Sequence, residues 1–285
     1  MPAMWYELRV EVSQEYSDAV ANFLTESGAP GLQLEEREGK VYLMAYYAAA
    51  PPLESLRRFC ADLGSPLDAA TVRVQQIAEE DWAQNWKLHF HPQAIGNRLY
   101  ICPPWDALAP PNRVAVVIEP GMAFGTGQHA STRGCLSLLD WATEQRSIRR
   151  ALDVGTGSGV LAIALAKLRV PEVWAVDIDP LAVVIAAGNA ARNGVEEQIH
   201  FASEIDAVPG AFDLLTANLF ANLLEELADR FARLLAPTGL LICSGLFTSD
   251  EHRVHRAYEA LGFEISKRYE EAGWLTLALE QRAQR

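Results

Sequence analysis

Three polar residues stand where apolar stretches of this chain end: Asp153 in Ala151-Leu-Asp-Val154, Asp177 after Glu172–Val176, and Asn218 after Asp213–Ala217. In open α/β sheets, ligands lie beyond the carboxyl ends of the strands, so three such residues on three strands converge on one crevice. Gly155, Gly157 and Gly159 follow Asp153 at once, and an apolar, small-residue stretch follows them. Glycine lets the backbone turn sharply and approach a ligand, and the helix that follows aims unpaired N–H groups at the same spot. This is a cofactor loop. A dinucleotide fingerprint would place its third glycine where Val160 stands. Asp153 would also crowd a pyrophosphate of like charge, whereas it could receive a cationic ligand. Asp177 falls 22 residues after Gly155, a spacing at which a carboxylate accepts ribose hydroxyls of any adenosine-bearing cofactor. Asn218, followed by Leu219 and Phe220, could hold an amine and flank it with an aromatic ring. Its alternative role is to cap a helix expected over Asn222–Leu235.

A second glycine-rich stretch, Glu119 to Thr132, carries Gly121, Gly125 and Gly127, with Phe124 between two of them. Such a loop suits a pocket wall or lid, and a helix is expected after it over Arg133–Gln145. From residue 149 the pattern alternates strand and helix, the mark of a parallel sheet covered on both faces. Strands are expected at Arg150–Val154, Glu172–Val176, His200–Ala202, Asp213–Ala217 and Leu240–Ser244. Helices are expected at Val160–Leu168, Pro180–Asn193, Asn222–Leu235 and Ser249–Leu261. Asp179 before Pro180 reads as a helix cap. Two final strands, Glu264–Tyr269 and Trp274–Leu279, have no helix between them and so imply an antiparallel hairpin. A seven-stranded sheet with that ending departs from the two βαβαβ halves of a dehydrogenase. Upstream, Leu99–Cys102 and Val114–Ile118 read as strands around the loop Pro103–Pro111.

The first 78 residues read βαββαβ, a ferredoxin-like α+β arrangement. They hold 11 acids and 6 bases and no histidine, which fits a binding module better than a reaction centre. Residues 79–97 form a helical, aromatic linker in which Trp82, Trp86 and Phe90 recur every four residues, packing between domains or offering a substrate platform. His89 and His91 do not share a helical face and lack a third ligand, so no metal site is expected. Residues 98–285 form the catalytic domain.

The chain has 285 residues, half of them apolar, and a formal charge of −13. Direct nucleic-acid binding, which needs a basic surface, is therefore not expected; the charge reads first as ordinary acidic solubility and would also suit a basic protein partner. Cys60, Cys102, Cys135 and Cys243 are scattered and form no CxxC pair, as in a reducing compartment. Neither a signal peptide nor an apolar run of membrane-spanning length is present, so a cytoplasmic protein is expected.

Asp153-x-Gly-x-Gly-x-Gly159, Val176-Asp-x-Asp-Pro180 and Asn218-Leu-Phe220 resemble the motifs of class I S-adenosylmethionine-dependent methyltransferases. Ile118-Glu-Pro-Gly-Met-Ala-Phe-Gly-Thr-Gly127 and Glu80-Asp-Trp-x-x-x-Trp86 narrow the resemblance to the PrmA family, methyltransferases of large-subunit ribosomal protein eleven. It covers essentially the whole chain. It implies a Rossmann-like, seven-stranded class I methyltransferase domain preceded by a small ferredoxin-like domain that docks the ribosomal protein, free or on the ribosome. It implies S-adenosyl-L-methionine as cofactor and methylation, to the trimethyl state, of lysine side chains and the N-terminal amine. Thr132, Gly155, Asp177 and Asn218 become cofactor-binding positions by motif, joined by Gly157 and Asp153 from the glycine turn. Asn218, Phe220 and Phe124 become the catalytic group, and a monomer is expected. Gln128 stands where family members tend to have His, and Phe220 where Tyr is frequent. Two other readings remain: a dinucleotide-dependent oxidoreductase, and a non-catalytic ribosome-assembly binder on a methyltransferase shell.

Overall fold

Period-two patterning decides the first sheet. Leu8, Val10 and Val12 alternate along the first strand and are buried against Val41, Leu43 and Ala45 of a neighbouring one. The structure, a computed structural model, describes residues 4–29, 31–37, 40–64, 71–78, 90–119 and 125–281. The chain divides into two units, Met1–His89 and Phe90–Arg285.

In the first unit the order is β1 (Met4–Ser13), a helix Ser17–Glu26, β2 (Gly31–Arg37), β3 (Lys40–Tyr47), a helix Leu53–Asp62 and β4 (Val72–Ala78). The sheet runs β2-β3-β1-β4 with every pair antiparallel. Val20 and Leu24 from one helix, and Leu56 and Cys60 from the other, complete the core. Ser13 does not cap the first helix directly: a 3-10 turn, Gln14–Tyr16, intervenes and the serine side chain makes no capping bond.

The second unit begins with a small sheet, β5 (Gln93–Ile95), β6 (Leu99–Cys102) and β7 (Val114–Val117). A helix, Ala130–Gln145, leads into the main sheet. Its strands are β8 (Arg150–Val154), β9 (Glu172–Val176), β10 (Ile199–Ala202), β11 (Phe212–Asn218), β12 (Leu235–Phe247), β13 (Phe263–Glu271) and β14 (Trp274–Gln281). They lie in the order β10-β9-β8-β11-β12-β14-β13. The first five are parallel; β14 pairs antiparallel with both β12 and β13, as the missing helix in the sequence implies. Buried clusters cover the sheet: Leu136, Leu139, Ile163 and Leu165 belong to one, and Leu224, Phe231, Val254 and Tyr258 to the other.

Three elements depart most from the expected boundaries. The helix expected from Arg133 starts at Ala130, because His129 occupies its cap and accepts from the backbone N–H of Ser131. The helix expected over Asn222–Leu235 is two, Ala221–Glu226 and Ala228–Leu234, parted at Leu227, where no glycine or proline marks a break. The strand β12 is far longer than Leu240–Ser244, and its register with β14 shifts between Cys243 and Leu246. Gly245, with φ +84, sits in that shift. No helix among the described residues is long and apolar enough to cross a membrane.

Candidate active site

The glycine turn is a left-handed backbone: φ is +72 at Gly155, +53 at Gly157 and +84 at Gly159, values that side chains rarely tolerate. Its first two amides, of Gly155 and Thr156, both donate to the carbonyl of Val176, at 2.8 and 3.0 Å. The turn is therefore fastened to the end of β9. Gly159 does a different task, since a Cβ there would lie 3.0 Å from that of Ala186. It lets the helix Val160–Lys167 press against the helix Pro180–Asn193.

Asp177 leaves β9 and faces the turn. Its Oδ2 accepts from the N–H of Gly157 at 2.8 Å, and its Oδ1 from the N–H of Asp179 at 3.0 Å. One donor per oxygen leaves lone pairs for further hydroxyls. Asp179 caps the next helix as expected, accepting from Leu181 at 2.9 Å.

Asp153 takes a different place from the one its motif suggests. It is 0 % exposed, and its two oxygens accept from the hydroxyls of Thr156 and Thr216, each at 2.7 Å. Burial pushes its carboxyl up to about 6, against the pull of those two hydroxyls. Fully buried, it braces the turn from beneath and ties it to β11.

Asn218 ends β11 and donates from Nδ2 to the hydroxyl of Thr132 at 3.3 Å, which joins β11 to the first turn of the helix Ala130–Gln145. It caps no helix: Phe220, 55 % exposed, holds the cap position of Ala221–Glu226. Between them, Leu219 is wedged. A Cβ on Gly155 would lie 2.6 Å from its side chain, and a Cβ on Gly245 would lie 2.8 Å from its backbone carbonyl carbon. Its N–H donates to the carbonyl of Ser244 at 3.0 Å. Asn218, Gly155, Gly157 and Asp177 thus form one linked rim at the carboxyl ends of β8, β9 and β11, with Thr132, itself buried, behind Asn218. Phe124, with Gly121, lies outside the described residues, as do Trp82, Trp86 and His89.

Several supporting residues escape sequence reasoning. Thr156 and Thr216 look like ordinary small polar residues until the fold places them on Asp153. Gly245 carried a usable signal, a glycine directly after an apolar strand. His129 packs edge-on against Trp274 at 4.5 Å between ring centroids, and Trp274 against Phe247 at 4.3 Å; nothing in the spacing links them. Burial, and then the charge of Arg133, lower the imidazole of His129 to about 4, so it is neutral at neutral pH. Gln128 accepts from Gln93 at 2.6 Å and donates to the carbonyl of His91 at 2.9 Å, a use its uncharged amide serves well.

Five parallel strands closed by an antiparallel hairpin, with a GxGxG turn facing an acid on β9 and an Asn-Leu-Phe on β11, define a Rossmann-like class I methyltransferase domain. A solved structure, a ribosomal protein L11 methylase from Lactobacillus delbrueckii subsp. bulgaricus, superposes with a TM-score of 0.63 at 30 % identity, over 68 % of this chain and 100 % of that one. The family model "Ribosomal protein L11 methyltransferase (PrmA)" matches residues 4–282, and the chain belongs to that family. Among its relatives, the ribosomal protein L11 methyltransferase of Syntrophotalea carbinolica is 37 % identical over 92 % of this chain and 93 % of its own length. That of Pelotomaculum thermopropionicum is 37 % identical over 98 % and 99 %.

Proposed function

We propose that the chain is an S-adenosyl-L-methionine-dependent protein N-methyltransferase that methylates lysine side-chain and N-terminal amines of ribosomal protein L11, to the trimethyl state. The observation that carries this reading is the orientation of Asn218. Its NH2 is committed to Thr132, which leaves its carbonyl oxygen to accept from an amine at the mouth of the crevice.

When bound, the cofactor supplies an electrophilic methyl group on a sulfonium. The chain must present an amine with a free lone pair. Lysine amines have a reference pKa near ~10.4 and α-amines near ~8, so most acceptor arrives protonated. Removing such an amine from water disfavours its charged form. The site needs desolvation and alignment more than a strong base. Asn218, with the neighbouring backbone carbonyl, accepts from the amine and aims its lone pair. Phe220 and Phe124 form an apolar, π-faced wall for cationic methyl groups. Asp177 holds the ribose hydroxyls; Thr132 and the turn at Gly155 and Gly157 seat the remainder of the cofactor, over the brace of Asp153.

Recognition of the ribosomal protein falls to the first unit as a ferredoxin-like docking domain. Its βαββαβ order and its 11 acids against 6 bases support this, because a net negative charge attracts a basic partner. Calorimetry with S-adenosylmethionine and with NAD, followed by transfer of radiolabelled methyl to the ribosomal protein, tests the proposal. Binding of the first nucleoside and label in lysine and N-terminal amines are expected. Binding of NAD instead, or cofactor binding without label, overturns it in favour of an oxidoreductase or a non-catalytic binder.

A further inference from the structure

Two points of the glycine-rich stretch, Glu119 and Gly125, are tied to Ser158 of the cofactor turn, Gly125 directly and Glu119 through Asn189. Ser158, 1 % exposed, donates from its hydroxyl to the carbonyl of Gly125 at 2.7 Å. Its own carbonyl accepts from Nδ2 of Asn189 at 2.9 Å. Asn189 is 0 % exposed, and its Oδ1 accepts from the N–H of Glu119 at 3.0 Å and from Arg192 at 3.4 Å. Glu119 leaves β7, and Gly125 stands six residues later, so the two contacts bracket the loop. Gly125 lies against the turn closely enough that a Cβ on it would sit 3.5 Å from the Ser158 hydroxyl. One helical turn beyond Asn189, Asn193 accepts from the N–H of Val117 at 2.8 Å and donates to its carbonyl at 2.6 Å. That side-chain amide takes the place of a neighbouring strand on the open edge of β7 and fixes where Glu119 emerges.

Buried amides and hydroxyls are costly unless bonded, and these direct their bonds to the loop ends and the turn. We propose that Ser158 and Asn189 are positioning residues for methyl transfer: they hold Glu119 and Gly125 in register with the glycine turn, so that cofactor in the turn orders those two points as well. The proposal rests on the cofactor reading above.

Hydrogen exchange on the full chain, with and without S-adenosylmethionine, tests it. In the wild type, cofactor protects amides at 155–159 and at 125–129 together. Ser158→Ala keeps the first and loses the second, and raises the cofactor KM about five-fold, as expected for the loss of one buried hydrogen bond. Ser158→Thr, which retains the hydroxyl, returns both toward wild type. Asn189→Ala, checked for folding by circular dichroism, removes cofactor-linked protection at 119 by the same route. A merely structural bond would lower thermal stability and leave KM and the cofactor-linked protection unchanged. Full protection at 125–129 in Ser158→Ala, or none there in the wild type while 155–159 is protected, overturns the proposal. Absence of protection at 155–159 in the wild type overturns the cofactor reading itself, and the proposal with it.

Discussion

Replacing Gly245 with alanine should damage catalysis through a residue that touches no ligand. The position has φ +84, where an alanine costs about 1–2 kcal/mol of backbone strain. A smaller unfolded ensemble returns about 0.4–1 kcal/mol of that. The greater penalty is steric. The new Cβ would lie 2.8 Å from the carbonyl carbon of Leu219 and 3.1 Å from its nitrogen, with the carbonyl oxygen nearer still. These are backbone atoms and cannot rotate away. On its other side Leu219 is hemmed by Gly155, so relief must move Asn218 or the cofactor turn. Overpacking of this kind costs about 1–3 kcal/mol. Because about 1 Å of misplacement costs roughly a hundred-fold in rate, a shift of a few tenths should cost roughly ten-fold. Gly194→Ala is the control: φ is +65 there and nothing lies within 4 Å of the added Cβ, so strain alone acts. Urea denaturation and single-turnover methyl transfer at saturating cofactor measure both variants. Gly245→Ala should lose stability and turnover; Gly194→Ala should lose only about 1 kcal/mol. Equal turnover in the two variants would refute the wedge at Leu219.

Three further outcomes are expected. The carboxyl of Asp153, raised by burial from 3.8 to about 6, binds its proton more tightly when folded, so its contribution is present below 3.8 and lost as pH rises through 6. Relative to Asp153→Asn, wild-type stability in urea should fall by about 3 kcal/mol across that window; a difference that does not change with pH contradicts the burial described. His129, lowered to about 4 by burial and Arg133, contributes stability above its ordinary value of 6.5 that is lost as pH falls toward 4. Its imidazole resonances should show a neutral ring at pH about 5.5, and a charged ring there would show an open site. Asp177→Ala removes the acceptor of the Gly157 N–H and of the proposed ribose contact, and calorimetry should show cofactor affinity down roughly ten- to a hundred-fold.

Residues whose role follows from local backbone chemistry are the ones legible in the sequence. Alternating glycines after an apolar strand permit a left-handed turn, and the structure has one at 155–159. An Asp before Pro180 must cap, and it does. Two strands without a connecting helix must pair antiparallel, and β13 and β14 do. What stays hidden depends on the meeting of distant segments. Asp153 reads as a ligand from its motif alone, yet Thr216, 63 residues away, turns it into a brace. Leu219 looks like a spacer between Asn218 and Phe220 until Gly155 and Gly245 close on it from two strands. Ser158 and Asn189 show no pattern at all, because their partners are backbone groups of a loop whose course only the fold sets.

The proposal that Asn218 presents an amine to the cofactor at the crevice rim is tested most directly by one variant, Asn218→Ala. Its single-turnover transfer of methyl to the ribosomal protein is measured together with cofactor affinity on the same preparation. At saturating cofactor, a transfer rate reduced about a hundred-fold is expected. Near-normal transfer with normal cofactor binding would contradict the role given to Asn218.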